Sequence, residues 1–170
     1  MTTGMETGTQ SAKRPVTGLA GPYGHPFHPI LVTVPIGAWV ASLVFDLASR
    51  LASQPEVFAT GSRWLVGLGI VGALAAAMFG LLDLFAIPTG TRAFRTGLLH
   101  MTLNLVVVAL FATSFLLRGG KGQDGVTVGV IALSVVALAL LAVSGWLGGQ
   151  LAYRYGVRVA DEATQAEGYQ

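Results

Sequence analysis

V-T-V-G-V-I-A-L-S-V-V-A-L-A-L-L-A-V-S-G-W-L-G-G-Q-L-A-Y, residues 126–153, contains no Asp, Glu, Lys or Arg. A helix through this stretch is apolar on every side, and such a helix belongs inside a large protein or in lipid. A chain of 170 residues offers no large protein to enclose it. About 20 residues rising about 1.5 Å each cross a hydrocarbon core about 30 Å thick, and the stretch is long enough.

The same pattern recurs upstream. Residues 30–45, 65–82 and 97–117 also lack Asp, Glu, Lys and Arg. Overall the chain is 53% hydrophobic and 11% charged, against roughly a quarter charged in ordinary soluble domains. The spacing predicts four membrane spans, at residues 29–47, 64–87, 98–117 and 126–147. The expected fold is therefore all-α, a four-helix transmembrane bundle. The connections, residues 48–63, 88–96 and 118–125, are short. Short connections make consecutive helices antiparallel neighbours, which predicts an up-down-up-down order with both termini on the same side.

Residues 1–23 are rich in Thr, Gly and Ser, and residues 160–170 are polar. Neither segment holds enough apolar surface to fold alone, so both read as disordered tails around a membrane domain at 24–159. No apolar run follows Lys13 and Arg14 until Ile30, so no cleavable signal peptide is expected. Lys13, Arg14, Arg92, Arg95, Arg154 and Arg158 fall on the terminal side; Arg50, Arg63, Arg118 and Lys121 fall on the other. Six cations against four predict cytoplasmic termini in a multi-pass protein of a bacterial cell membrane.

The chain has no Cys, which excludes disulfides, zinc-thiolate sites, iron-sulfur clusters and thioether-bound haem within it. A net charge of +2, scattered along the chain, argues against a nucleic-acid partner. No phosphate-binding glycine loop, nucleophile-base arrangement or hydrolase-like carboxylate pair is visible, so no enzyme acting alone is expected.

The expected topology places His25, His28, Asp83, Arg92, Arg95, His100, Gln150, Tyr153 and Arg154 at one membrane face. Ionisable groups within spans are costly and are candidate functional residues by default. His25 and His28 both precede prolines, which pushes them toward extended backbone. In a polyproline helix they lie about 9 Å apart on one side, a spacing suited to one ligand and one accessory residue. Pro35 leaves the Leu31 carbonyl without a helical donor and predicts a kink or a local polar contact. Asp83 is expected to pair with Arg92 or Arg95. His100 and Asn104 lie one turn apart, on one face of the third span. Small residues permit close helix approach at Gly72, Ala76 and Gly80, and again at Gly145 and Gly149. Trp39, Trp64, Trp146, Tyr153 and Tyr155 read as packing and interfacial anchors.

Residues 24–39 read G-H-P-F-H-P-I-L-V-T-V-P-I-G-A-W, residues 100–104 H-M-T-L-N, and residues 145–157 G-W-L-G-G-Q-L-A-Y-R-Y-G-V. With Asp83, these motifs resemble a family of predicted membrane proteins catalogued as domain of unknown function 2231, over residues 24–159. The resemblance implies an association with respiratory electron transfer, since some relatives are joined to Rieske-type domains or accompany cytochrome-like partners. Many relatives carry a histidine where this chain has Thr33.

The functional expectation is a redox-associated module. His28 and His100 would ligate a b-type haem or a divalent metal, with His25, Asp83, Arg92, Asn104 and Tyr153 around the group. The partners would be the lipid bilayer, a redox protein or respiratory complex, and a further copy of the chain. The competing expectation is a non-catalytic membrane subunit or scaffold that docks a partner protein. A transporter is disfavoured, because the spans carry no charge at mid-depth.

Overall fold

The computed structural model describes residues 2–119 and 125–170; Lys121, counted above, lies outside them. In chain order the helices are α1 Thr2–Lys13, α2 Phe27–Leu31, α3 Thr33–Leu51, α4 Pro55–Phe85, α5 Arg92–Leu117, α6 Val128–Gly149 and α7 Glu162–Ala166. A π-helical turn, Gln150–Arg154, continues α6. Among the described residues there is no strand. Four segments are long and apolar enough to cross a membrane: Phe27–Leu51, Pro55–Phe85, Arg92–Leu117 and Val128–Arg154. The all-α class and the four apolar spans are as the charge pattern predicts. Helices α1 and α7 fall in the two segments whose composition predicts disorder.

The helices outrun the apolar blocks. Asp46 and Arg50 lie inside α3, and Arg63 lies inside α4. Charge ends a hydrophobic block without ending a helix, because isolated Asp and Arg cost a helix interior only tenths of a kcal/mol, at most about 0.7. Proline punctuates instead. Pro55 opens α4, where a missing amide donor costs nothing, and Pro88 follows the end of α4. Thr91 caps α5, its Oγ1 accepting the Phe94 amide at 3.1 Å.

The first span departs from expectation at His28. It lies within α2 and not in an extended segment, because Pro29 falls in the first helical turn, where amides have no intrahelical partner. The 9 Å polyproline spacing from His25 therefore does not apply; the His25 amide closes a turn onto the Pro22 carbonyl at 3.0 Å. Helical hydrogen bonding is interrupted at Val32, between α2 and α3 and three residues before Pro35, while the backbone there keeps helical torsions, φ −65° and ψ −16°.

The chain forms two compact units. The first comprises residues 31–75 and 103–143. At its centre Trp39 stacks on Phe111, with ring centroids 4.2 Å apart and planes 8° apart. Val66, Val107 and Ala137 complete this buried core. Trp39 Nε1 donates to the Val66 carbonyl at 3.3 Å. Lipid tails are as apolar as these side chains, so contact packing rather than water exclusion holds the helices together. Gly69 makes the packing possible, because a Cβ there would run into the Trp39 indole. Gly69→Val is expected to cost about 1–3 kcal/mol, the usual penalty of overpacking. Thermal unfolding in detergent checks this, and an unchanged Tm would show that the indole can move aside.

The second unit comprises residues 1–30, 76–102 and 144–170. Ala12, Leu84, Ile87 and Val157 are buried together, and the Arg158 amide donates to the Ala12 carbonyl at 2.9 Å. The small-residue stripes behave differently from one another. A Cβ at Gly72 would meet Val34 Cγ1 at 2.8 Å, so the first stripe is a contact face there. Gly145 and Gly149 face open space. The close approach on α6 instead uses Gly148, which lies on another side of the helix.

Candidate functional site

Two imidazoles in the second unit share one mode of attachment. His28 Nδ1 lies 2.9 Å from the Ala76 carbonyl, and His100 Nδ1 lies 2.8 Å from the Ser144 carbonyl. Four residues after each carbonyl stands a glycine, Gly80 and Gly148. A Cβ would fall 2.9 Å from His28 Nδ1 at the former and 3.2 Å from His100 Cε1 at the latter. Each missing side chain makes room for a ring on the helix, beside the carbonyl one turn earlier. Ser144 Oγ adds a contact to His100 Nδ1 at 3.0 Å.

The chemistry follows from these acceptors. A carbonyl oxygen only accepts, so Nδ1 of each neutral ring carries the hydrogen and Nε2 carries the lone pair. Metal-ligating histidines are commonly fixed in this way. The two ring centroids are 6.2 Å apart, with planes at 89°. Phe27 packs edge-on against Phe79 at 5.8 Å, next to His28 in sequence.

Asp83 does not pair with Arg92 or Arg95. Its partner is Arg158, whose Nε lies 2.8 Å from Asp83 Oδ1. The contact is an ion pair rather than an aligned hydrogen bond. Arg158 Nη2 donates to the Ala20 and Gly21 carbonyls, each at 3.0 Å. Arg158 adopts φ 61°, a left-handed conformation that turns its side chain back into the unit. The sequence reading missed this residue because it lies beyond the fourth apolar block.

His25, Arg92 and Tyr153 are exposed, Tyr153 at 92%. Asn104 is half-buried and belongs to the other unit. Among the described residues no group of three or more His, Cys, Asp or Glu side chains is arranged to hold a metal ion.

A second polar cluster, in the first unit, goes beyond the sequence reading, in which Arg118 is one of four cations on the side opposite the termini. Asp46 is fully buried and paired with Arg118. Arg118 Nη1 reaches Asp46 Oδ1, and Nη2 reaches Oδ2 at 2.7 Å. Nη1 also donates to Ser62 Oγ at 2.9 Å, Nη2 to Ser134 Oγ at 3.1 Å and Nε to Ser114 Oγ at 3.2 Å. Five contacts match the five N–H bonds of a guanidinium. They tie α3, α4, α5 and α6 to one another. The available signal was an Asp ending the first apolar block and an Arg ending the third, two ends that the expected topology puts at one face.

The chain matches, over residues 24–161, the model of the family described as "Predicted membrane protein (DUF2231)". No curated protein and no solved structure matches it.

Proposed function

The chain belongs to the DUF2231 family of predicted membrane proteins, and from that premise we propose that it is a redox-associated membrane module with a two-imidazole centre. His28 and His100 are the ligands, and a b-type haem or a divalent metal is the bound group. The observation that carries the reading is the matched pair of seats, with both Nδ1 atoms on backbone carbonyls and the rings 6.2 Å apart. Two imidazoles on one ion, each bound through nitrogen at about 2.0–2.1 Å, stand about 5 to 6.5 Å apart ring to ring. The ring separation falls within the range that a shared ion requires. A bound iron porphyrin would supply one-electron chemistry; the chain supplies ligand tautomer and orientation through Ala76 and Ser144.

The module works with a redox partner in a bacterial cell membrane. Its spans run up-down-up-down with both termini cytoplasmic, which the six-to-four distribution of cations supports. Because the chain has no Cys, a single cysteine introduced in a tail reports the side directly. Labelling of that cysteine by an impermeant reagent in intact cells would reverse the orientation.

A second reading is a scaffold that docks a partner. The observation favouring it is that Arg158 ties Asp83 to the Ala20 and Gly21 carbonyls, a purely architectural use of the site's charges. The two readings separate on His28→Ala and His100→Ala, purified in detergent after haem-supplemented expression. The redox module predicts a Soret band or stoichiometric metal in the parent protein and its loss in either variant. The scaffold predicts loss of stability with no change in absorption or metal content. A parent protein with neither signal sinks the two-imidazole centre.

A further inference from the structure

In the unit of residues 31–75 and 103–143, a cavity of about 1040 Å³ lies between α4, α5 and the start of α6. Its volume is at the upper end of the roughly 300–1,000 Å³ that encloses small ligands. Along α4 its wall runs over residues 59–71, which is about 18 Å of helix. From Arg63 inward, residues 63–71 account for about 12 Å of it, most of one leaflet's share, about 15 Å, of a hydrocarbon core about 30 Å thick. The lining is mostly apolar, with Phe115 and Ala112 on the α5 side. Gly67 leaves the floor open, and Phe115 closes in on it, 3.2 Å from where a Cβ would stand.

Polarity enters at one end of the α4 wall. Arg63 is exposed and lies with Cζ 5.0 Å from the Phe115 ring centroid, so its guanidinium is held over the cavity wall. It forms no ion pair among the described residues, whereas the other cation of the lining, Arg118, is neutralised by Asp46. Trp64, next to Arg63, is 77% exposed. An exposed Trp beside an Arg is the pattern of the zone between hydrocarbon and headgroups.

We propose that this cavity holds an acyl chain of an anionic phospholipid whose phosphate is bound by Arg63. A free guanidinium at headgroup depth selects an anionic phosphate, and the apolar length below it accepts a single chain. The site involves neither histidine and does not depend on the two-imidazole centre.

The test uses the full chain in nanodiscs of equimolar phosphatidylglycerol and phosphatidylcholine, followed by native mass spectrometry of the lipids retained in detergent. One phosphatidylglycerol per chain is expected, preferred about fivefold over phosphatidylcholine, the preference one cation near the headgroups confers. Arg63→Gln, at an exposed position, is expected to abolish the preference, and Arg63→Lys to keep it. Ala112→Leu, which fills the cavity, is expected to reduce retention of both lipids. Equal retention of the two lipids by the parent protein, an unchanged preference in Arg63→Gln, or a co-purifying isoprenoid quinone in place of the phospholipid would each overturn the proposal.

Discussion

Arg118→Met is expected to lower stability by about 3–5 kcal/mol, the cost of stranding one member of a buried ion pair. The side chains of Arg118 and Asp46 are 3% and 0% exposed. Removing the guanidinium leaves an unneutralised carboxylate among apolar helices, with Ser62 the one side chain among the described residues that still donates to it. It also removes donors from Ser114 and Ser134, on α5 and α6. Arg118→Lys is expected to fall in between, because a point ammonium cannot reproduce five contacts in a planar fork. The informative control is the double substitution Asp46→Leu with Arg118→Leu. Replacing both charges by apolar groups removes the stranded charge, so most of the loss should be regained. Unfolding by a denaturing detergent, followed by circular dichroism, reads all three. If Arg118→Met unfolds with the parent protein, the carboxylate is reaching water and the cluster does not hold the helices together.

The same cluster marks where the sequence stopped being legible. Four charge-free blocks were enough to give the helices and their membrane character, because the absence of charge over 20 residues has one physical meaning in a short chain. The ends of those helices were not legible, since Asp46, Arg50 and Arg63 interrupt hydrophobicity without interrupting hydrogen bonding. His28 was misread as extended because the rule for a residue before proline weakens when that proline lies in a helix's first turn. The two histidines could be nominated from composition alone. Their seats could not, because the pairing of a carbonyl with a glycine one turn later becomes a signal only when it is known which helix face meets the ring. Small-residue spacing points to Gly80 on α4, while on α6 it points to Gly145 and Gly149, to either side of the effective Gly148. Partners distant in sequence were the hardest to foresee. Asp83 and Arg158 are joined through a left-handed residue after a π-helical turn, and no helical periodicity carries through that reversal.

Arg158→Met is expected to produce the second large loss, below that of Arg118→Met. Arg158 is 5% exposed and holds Asp83 in an ion pair, so its removal again strands a carboxylate in a largely dry place. The Asp83 side chain is 12% exposed, however, and partial access to water softens the penalty. Three aligned or ionic contacts are lost here against five at Arg118. A loss of about 2–3 kcal/mol follows, at or below the lower end of the range for broken buried pairs. Its location distinguishes it from a general weakening. The Ala20 and Gly21 carbonyls lose their only side-chain donor among the described residues, so the segment leading into α2 should come loose first. Gly21 cannot be rescued by a stiffer residue, because it adopts φ 93° and a Cβ there would strike the His25 carbonyl. Amide exchange should therefore accelerate from Ala20 through His28 in Arg158→Met, with the Trp39 and Phe111 core of the other unit unchanged. Equal acceleration in both units would mean that Arg158 supports the whole chain rather than the approach to His28. No acceleration at Ala20 and Gly21 would mean that the guanidinium does not hold that segment at all.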